Sequence, residues 1–75
     1  MSEERIGDKF LRKLYEKADN DGTGRINREE IGKEIGIVDV QTDNLVEELT
    51  AEGYIKKIGR NHIYLTDDGR RRVEI

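Results

Sequence analysis

Glu34-Ile35-Gly36-Ile37, followed after one helical interval by Leu45-Val46-Glu47-Glu48-Leu49-Thr50-Ala51-Glu52-Gly53-Tyr54-Ile55, is the stretch that decides how this chain is read. Ile31 and Ile35 stand four apart, which lays an apolar stripe along a helix over about 28–35. Gly36 then supplies the residue type that ends a helix in the left-handed conformation. Asp39 is the capping candidate for a further helix over about 40–52, whose core stripe is Thr42, Leu45, Val46 and Leu49. Gly53 stops that helix, because leaving it for an extended segment calls for a left-handed residue. Two short helices joined by a tight turn are the centre of the fold.

Working towards the N-terminus, Ile6, Phe10, Leu11, Leu14 and Ala18 recur at helical spacing, and Tyr15 widens their apolar face. They predict an amphipathic helix over about 4–18. Asp19-Asn20-Asp21-Gly22-Thr23-Gly24 is a turn by composition. Arg25-Ile26 forms a very short strand, and Asn27 caps the next helix with Glu30 three positions on, in capping-box fashion. Towards the C-terminus the periodicity changes from helical to alternating. Tyr54–Ile58 and His62–Leu65 read as two strands joined by Gly59-Arg60-Asn61, a hairpin over about 54–66. Ile55, Ile63 and Leu65 close it over the helices. Thr66 caps a last short turn through Asp67, Asp68 and Gly69, and the tail Arg70–Ile75 either extends that turn or frays.

These residues resemble the winged helix-turn-helix domains of MarR-like and archaeal regulators. In those, "E-(I/L)-G-I" closes the second helix and "L-x-x-E-G-(Y/L)-I" joins the third to the wing. Ile63-Tyr64-Leu65-Thr66-Asp67-Asp68-Gly69-Arg70 looks like the "Y-x-L-T-x-x-G-R" that closes the wing. The resemblance covers about residues 10–70 without a gap. It implies an α+β fold of three helices plus a C-terminal β-hairpin wing, one domain over residues 1–75, with the strand at Ile26 pairing to the wing. It also implies DNA binding, with the third helix in the major groove and the wing on the backbone. Another small α+β domain is the alternative fold.

Composition limits the remaining function classes. A chain of 75 residues buries only about 60% of the surface that its unfolded form exposes, so the core is thin and leaves no room for a deep substrate cavity. It has no Cys, one His (His62) and one Ser (Ser2), too little to assemble a catalytic triad or dyad. Its carboxylates spread along solvated faces. We therefore expect a binding domain and not an enzyme. Without a long apolar run there is no membrane span, and the expected compartment is the cytoplasm.

Charge complicates DNA binding. From Glu29 to Ile55 the one basic residue is Lys33, against eight acids: Glu29, Glu30, Glu34, Asp39, Asp43, Glu47, Glu48 and Glu52. Phosphates are repelled by such a surface. Residues 56–75 reverse the sign, with Lys56, Lys57, Arg60, Arg70, Arg71 and Arg72 against Asp67, Asp68 and Glu74. The nucleic-acid-binding candidates are therefore Gln41 and Asn44, which can read adenine edges, with Lys56, Lys57, Arg60, Arg70 and Arg71 on the wing side. The competing reading is a protein partner that meets an acidic third helix. The domain is a monomer or a homodimer, and Phe10 and Tyr15 are the spare apolar residues for a second copy.

Residues 19–30 also look like the twelve-residue calcium loop of EF-hand proteins. Asp19, Asp21, Thr23, the carbonyl of Arg25, Asn27 and Glu30 fall at its ligand positions, and Gly24 at its sharp turn. Thr23 stands where the family favours Asp or Asn, and Arg25 and Arg28 add positive charge, so the resemblance implies weak calcium binding. Turn chemistry and a helix cap account for the same residues without a metal.

Overall fold

In the computed structural model, which describes residues 5–21 and 25–74, the chain runs α1 (Ile6–Asp21), β1 (Ile26–Asn27), α2 (Arg28–Ile35), α3 (Asp39–Ala51), β2 (Ile55–Ile58), β3 (His62–Leu65) and α4 (Asp67–Glu74). Both strand pairs are antiparallel, in the order β1-β3-β2. Ile26 lies opposite Ile63, and β2 pairs with β3 from Ile55 opposite Leu65 to Ile58 opposite His62. The domain is α+β, with four helices and one three-stranded sheet among the described residues.

The core follows the apolar stripes. Phe10, Leu11 and Leu14 of α1, Ile31 of α2, and Leu45, Val46 and Leu49 of α3 are buried against Ile26, Ile55 and Ile63 of the sheet. Each fully buried Leu, Ile or Phe contributes about 1.5–3 kcal/mol of transfer free energy. Thr42 is buried with them, its hydroxyl donating to the Val38 carbonyl at 3.1 Å, so no polar group is left unsatisfied there. Two glycines end helices in the left-handed conformation: Gly36 (φ 80°) caps α2, and Gly53 (φ 84°) carries the chain from α3 to β2.

Several expectations need correction. There are four helices, not three. The segment from Asp67 continues to Glu74 because its tail is anchored to α1: the Tyr15 hydroxyl donates to Glu74 Oε2 at 2.8 Å, and Arg72 Nε donates to Asp8 Oδ1 at 3.2 Å. Thr66 does cap this helix, accepting the Gly69 N–H at 3.1 Å, and its own hydroxyl donates to the Gly53 carbonyl. Helix α1 runs to Asp21, three residues beyond its expected end, so apolar periodicity marked its buried part and not its full length. Ile6 is 44% exposed and Phe10 fully buried, so the apolar face of α1 begins one turn late and Phe10 is not available to a second copy. Asp39 does not cap α3. It is the first helical residue, and the Gln41 side chain reaches back to accept the Val38 N–H at 3.3 Å.

Candidate nucleic-acid interface

Burying Thr42, Leu45, Val46 and Leu49 turns the opposite side of α3 to solvent. At 100° per residue that side carries Val40, Asn44, Glu47 and Ala51, all exposed. Asp43 and Glu48 flank it. The polar candidates on this helix have different circumstances. Asn44 is exposed and its amide has no hydrogen bond among the described residues, whereas the Gln41 carbonyl oxygen is engaged at the helix start.

Two of the carboxylates on α3 are not free charges. Arg28 Nη2 lies 3.2 Å from Asp43 Oδ1, and Lys57 Nζ pairs with Glu47 Oε1. Register explains the second pair: Lys57 shares a sheet face with Ile55 and Ile63, so it reaches towards α3. Arg28 also ties the hairpin to α2 through its backbone. The Arg28 N–H donates to the Asn61 carbonyl at 2.9 Å, which holds the loop carrying Arg60 beside the start of α2 and, through Arg28, beside the Asp43 flank of α3. Arg28 Nε is buried without a partner, so this guanidinium is incompletely satisfied. Arg28 was not among the sequence candidates, because nothing in local spacing joins it to Asp43.

The C-terminal cations divide. Arg70 lies over the Tyr15 ring, 5.5 Å from its centroid, and Arg72 lies over Tyr54 while bonding Asp8. Both help to dock α4. Arg71 is 77% exposed and makes a loose 3.9 Å pair with Asp68. Lys56 stands opposite Tyr64 on the outer face of the hairpin, and Lys56, Tyr64 and Arg71 line one open depression of about 580 Å³. Among the C-terminal cations, Lys56, Arg60 and Arg71 are exposed without a close ion pair or ring contact among the described residues, while Lys57 is paired with Glu47. Tyr15, a candidate for a second copy, is covered by Arg70, and its hydrogen bond to the Glu74 carboxylate raises its pKa above the usual 10.0.

The calcium-loop residues are placed as follows. Asp19 is exposed on the last turn of α1, and Asp21 ends that helix, so the helix enters what an EF-hand would use as loop. Thr23 and Gly24 lie outside the described residues. Asn27 Oδ1 accepts the Glu29 N–H at 2.8 Å as the cap of α2, while Glu30 and Arg25 are exposed. Among the described residues no cluster of three or more His, Asp or Glu side chains is arranged to hold a metal ion. None of the described helices is long and apolar enough to cross a membrane. No protein-family model matches the chain, and no curated protein matches its sequence.

Proposed function

We propose that the chain is a winged helix-turn-helix domain that binds duplex DNA, α3 entering the major groove and the β2–β3 hairpin lying along the backbone. The observation that carries this reading is the outward side of α3. It is packed on one face only, and it is bordered by a hairpin whose loop is tied to the start of α2. The order α1-β1-α2-α3-β2-β3 and the pairing of β1 with β3 support it, since these are what the winged-helix resemblance implies. A helix of this diameter fits the major groove, and exposed amides on it meet base edges there.

The acidity of α3 is lower than composition indicates, because Arg28 and Lys57 neutralise Asp43 and Glu47. Phosphate contact falls to Lys56, Arg60 and Arg71, few enough that affinity is modest and its salt dependence shallow. A second reading, a basic protein partner docked on α3, draws on Asp39, Glu48 and Glu52, which are exposed and form no ion pair among the described residues.

Amide NMR shifts of the labelled domain during titration with mixed-sequence duplex DNA at low salt separate the two. DNA binding moves Asn44, Lys56 and Arg60 with their neighbours, and added salt reverses the shifts. Shifts confined to the hairpin and Arg71 indicate non-specific contact. An unchanged spectrum rejects DNA and favours the basic partner.

A further inference from the structure

We propose that Asn44 and Val40 together make α3 selective for a site containing adjacent A·T pairs, and that Gln41 does not read bases; this rests on the DNA-binding reading above. Among the described residues the strongly exposed large apolar side chains are Ile6, Val38 and Val40. Two of the three stand at the start of α3, with Val40 68% exposed. A chain with so thin a core gains nothing in stability by leaving an isopropyl group in water at that place. Val40 and Asn44 are four residues apart, so their side chains stand one above the other on the outward ridge of α3.

The chemistry of that pair matches one kind of base pair. Reading adenine with an amide requires donation to N7 and acceptance from N6 by the same side chain. Gln41 has its acceptor oxygen bonded to the Val38 N–H, so it serves the start of the helix. Asn44 has both amide groups open, one turn further along. Thymine presents the apolar group of the major groove, its 5-methyl, and Val40 is the exposed apolar side chain that lies next to Asn44 on the ridge. Of the carboxylates nearest Asn44, Asp43 and Glu47 are paired with cations, which leaves Glu48 as the one beside the amide that is unpaired among the described residues.

The test selects from a pool of duplexes with a randomised core at low salt and sequences the retained fraction. The intact domain enriches a motif with adjacent A·T pairs. Asn44→Ala flattens that preference about tenfold or more, while Gln41→Ala retains it. Replacing the key thymine by deoxyuracil, which removes a methyl group, weakens the intact domain about fourfold and leaves Val40→Ala unaffected. An enriched motif without A·T pairs overturns the proposal, as does a preference that survives Asn44→Ala or disappears with Gln41→Ala. A pool retained without enrichment overturns base reading but leaves DNA binding standing; a pool not retained at all overturns both.

Discussion

Gly32 and Gly69 are two residues at which a single methyl group changes the outcome. In an exposed helix, Gly→Ala gains about 1 kcal/mol. Here the sign reverses. A Cβ at Gly69 would collide with the carbonyl oxygen of Tyr54, which is backbone and cannot rotate away. A Cβ at Gly32 would collide with Thr42 Oγ1, the hydroxyl that donates to Val38. Gly69→Ala is expected to lower stability by about 2–3 kcal/mol, the upper part of the overpacking range. That is a large share of the roughly 4–11 kcal/mol available to a chain of this length. Gly32→Ala is expected to lose less, and the double change Gly32→Ala with Thr42→Ala to recover part of it, read as urea midpoints in a double-mutant cycle. Tyr15 supplies a pH prediction. Its pKa is raised in the folded state by the Glu74 hydrogen bond, so the stability that neutral Tyr15 contributes is complete below pH 10.0 and is lost as pH rises through the folded value. Urea midpoints of the intact domain should therefore fall more steeply than those of Tyr15→Phe above about pH 10, and parallel curves would remove Tyr15–Glu74 as a stabilising contact.

At the scale of elements, what could be read in advance was what local chemistry dictates. Gly36 and Gly53 punctuate α2 and α3 in the left-handed conformation, Asn27 caps α2, and His62–Leu65 pairs back on Ile55–Ile58, all as the sequence implies. The start of α3 was misplaced because a cap can be supplied from inside the helix: Gln41, at its third position, reaches the Val38 N–H, and Asp39 simply sits in the first turn, where the helix dipole favours a negative charge. Helix α4 was underestimated because its anchors, Tyr15 and Asp8, lie 59 and 64 residues away in sequence. The site was legible only in part for the same reason. Exposure of Asn44 follows from periodicity, but nothing local shows that Arg28 and Lys57 would mask Asp43 and Glu47. The Lys57–Glu47 pair is solvent-exposed and worth about 0–1 kcal/mol, so Glu47→Gln should leave the melting temperature almost unchanged, whereas Arg28 is largely buried and Asp43→Asn should lower it. On the DNA-binding reading proposed above, each removes a negative charge near the phosphates and frees a cation. The expected result is a gain of roughly fivefold per change in duplex DNA affinity at low salt, measured by fluorescence anisotropy. Unchanged affinity in both variants would place the DNA contact elsewhere.

Across the whole molecule, charge is segregated in sequence and partly re-mixed in space. Residues 1–55 carry eight basic against fourteen acidic groups, and residues 56–75 carry six against three. Folding joins the two regions through Lys57–Glu47, Arg72–Asp8 and Tyr15–Glu74, so the C-terminal cations do not form one uninterrupted basic surface. If the domain binds DNA as proposed, Lys56, Arg60 and Arg71 remain for phosphates. Three neutralised phosphates give a slope of log affinity against log salt of about −3, since each contributes about −0.9. In the double variant Asp43→Asn with Glu47→Gln, Arg28 and Lys57 are released as well, and the slope should steepen to between about −4 and −5. The two slopes together distinguish ways of binding that affinity alone does not. If the ion pairs stay closed on DNA, the intact domain shows about −3 and the variant the steeper slope. If phosphates already pull Arg28 and Lys57 from their carboxylates, the intact domain shows the steeper slope from the start. In that case the acidic residues of α3 act as placeholders for phosphate, and the negative charge on this helix is a means of keeping two cations in position until DNA arrives.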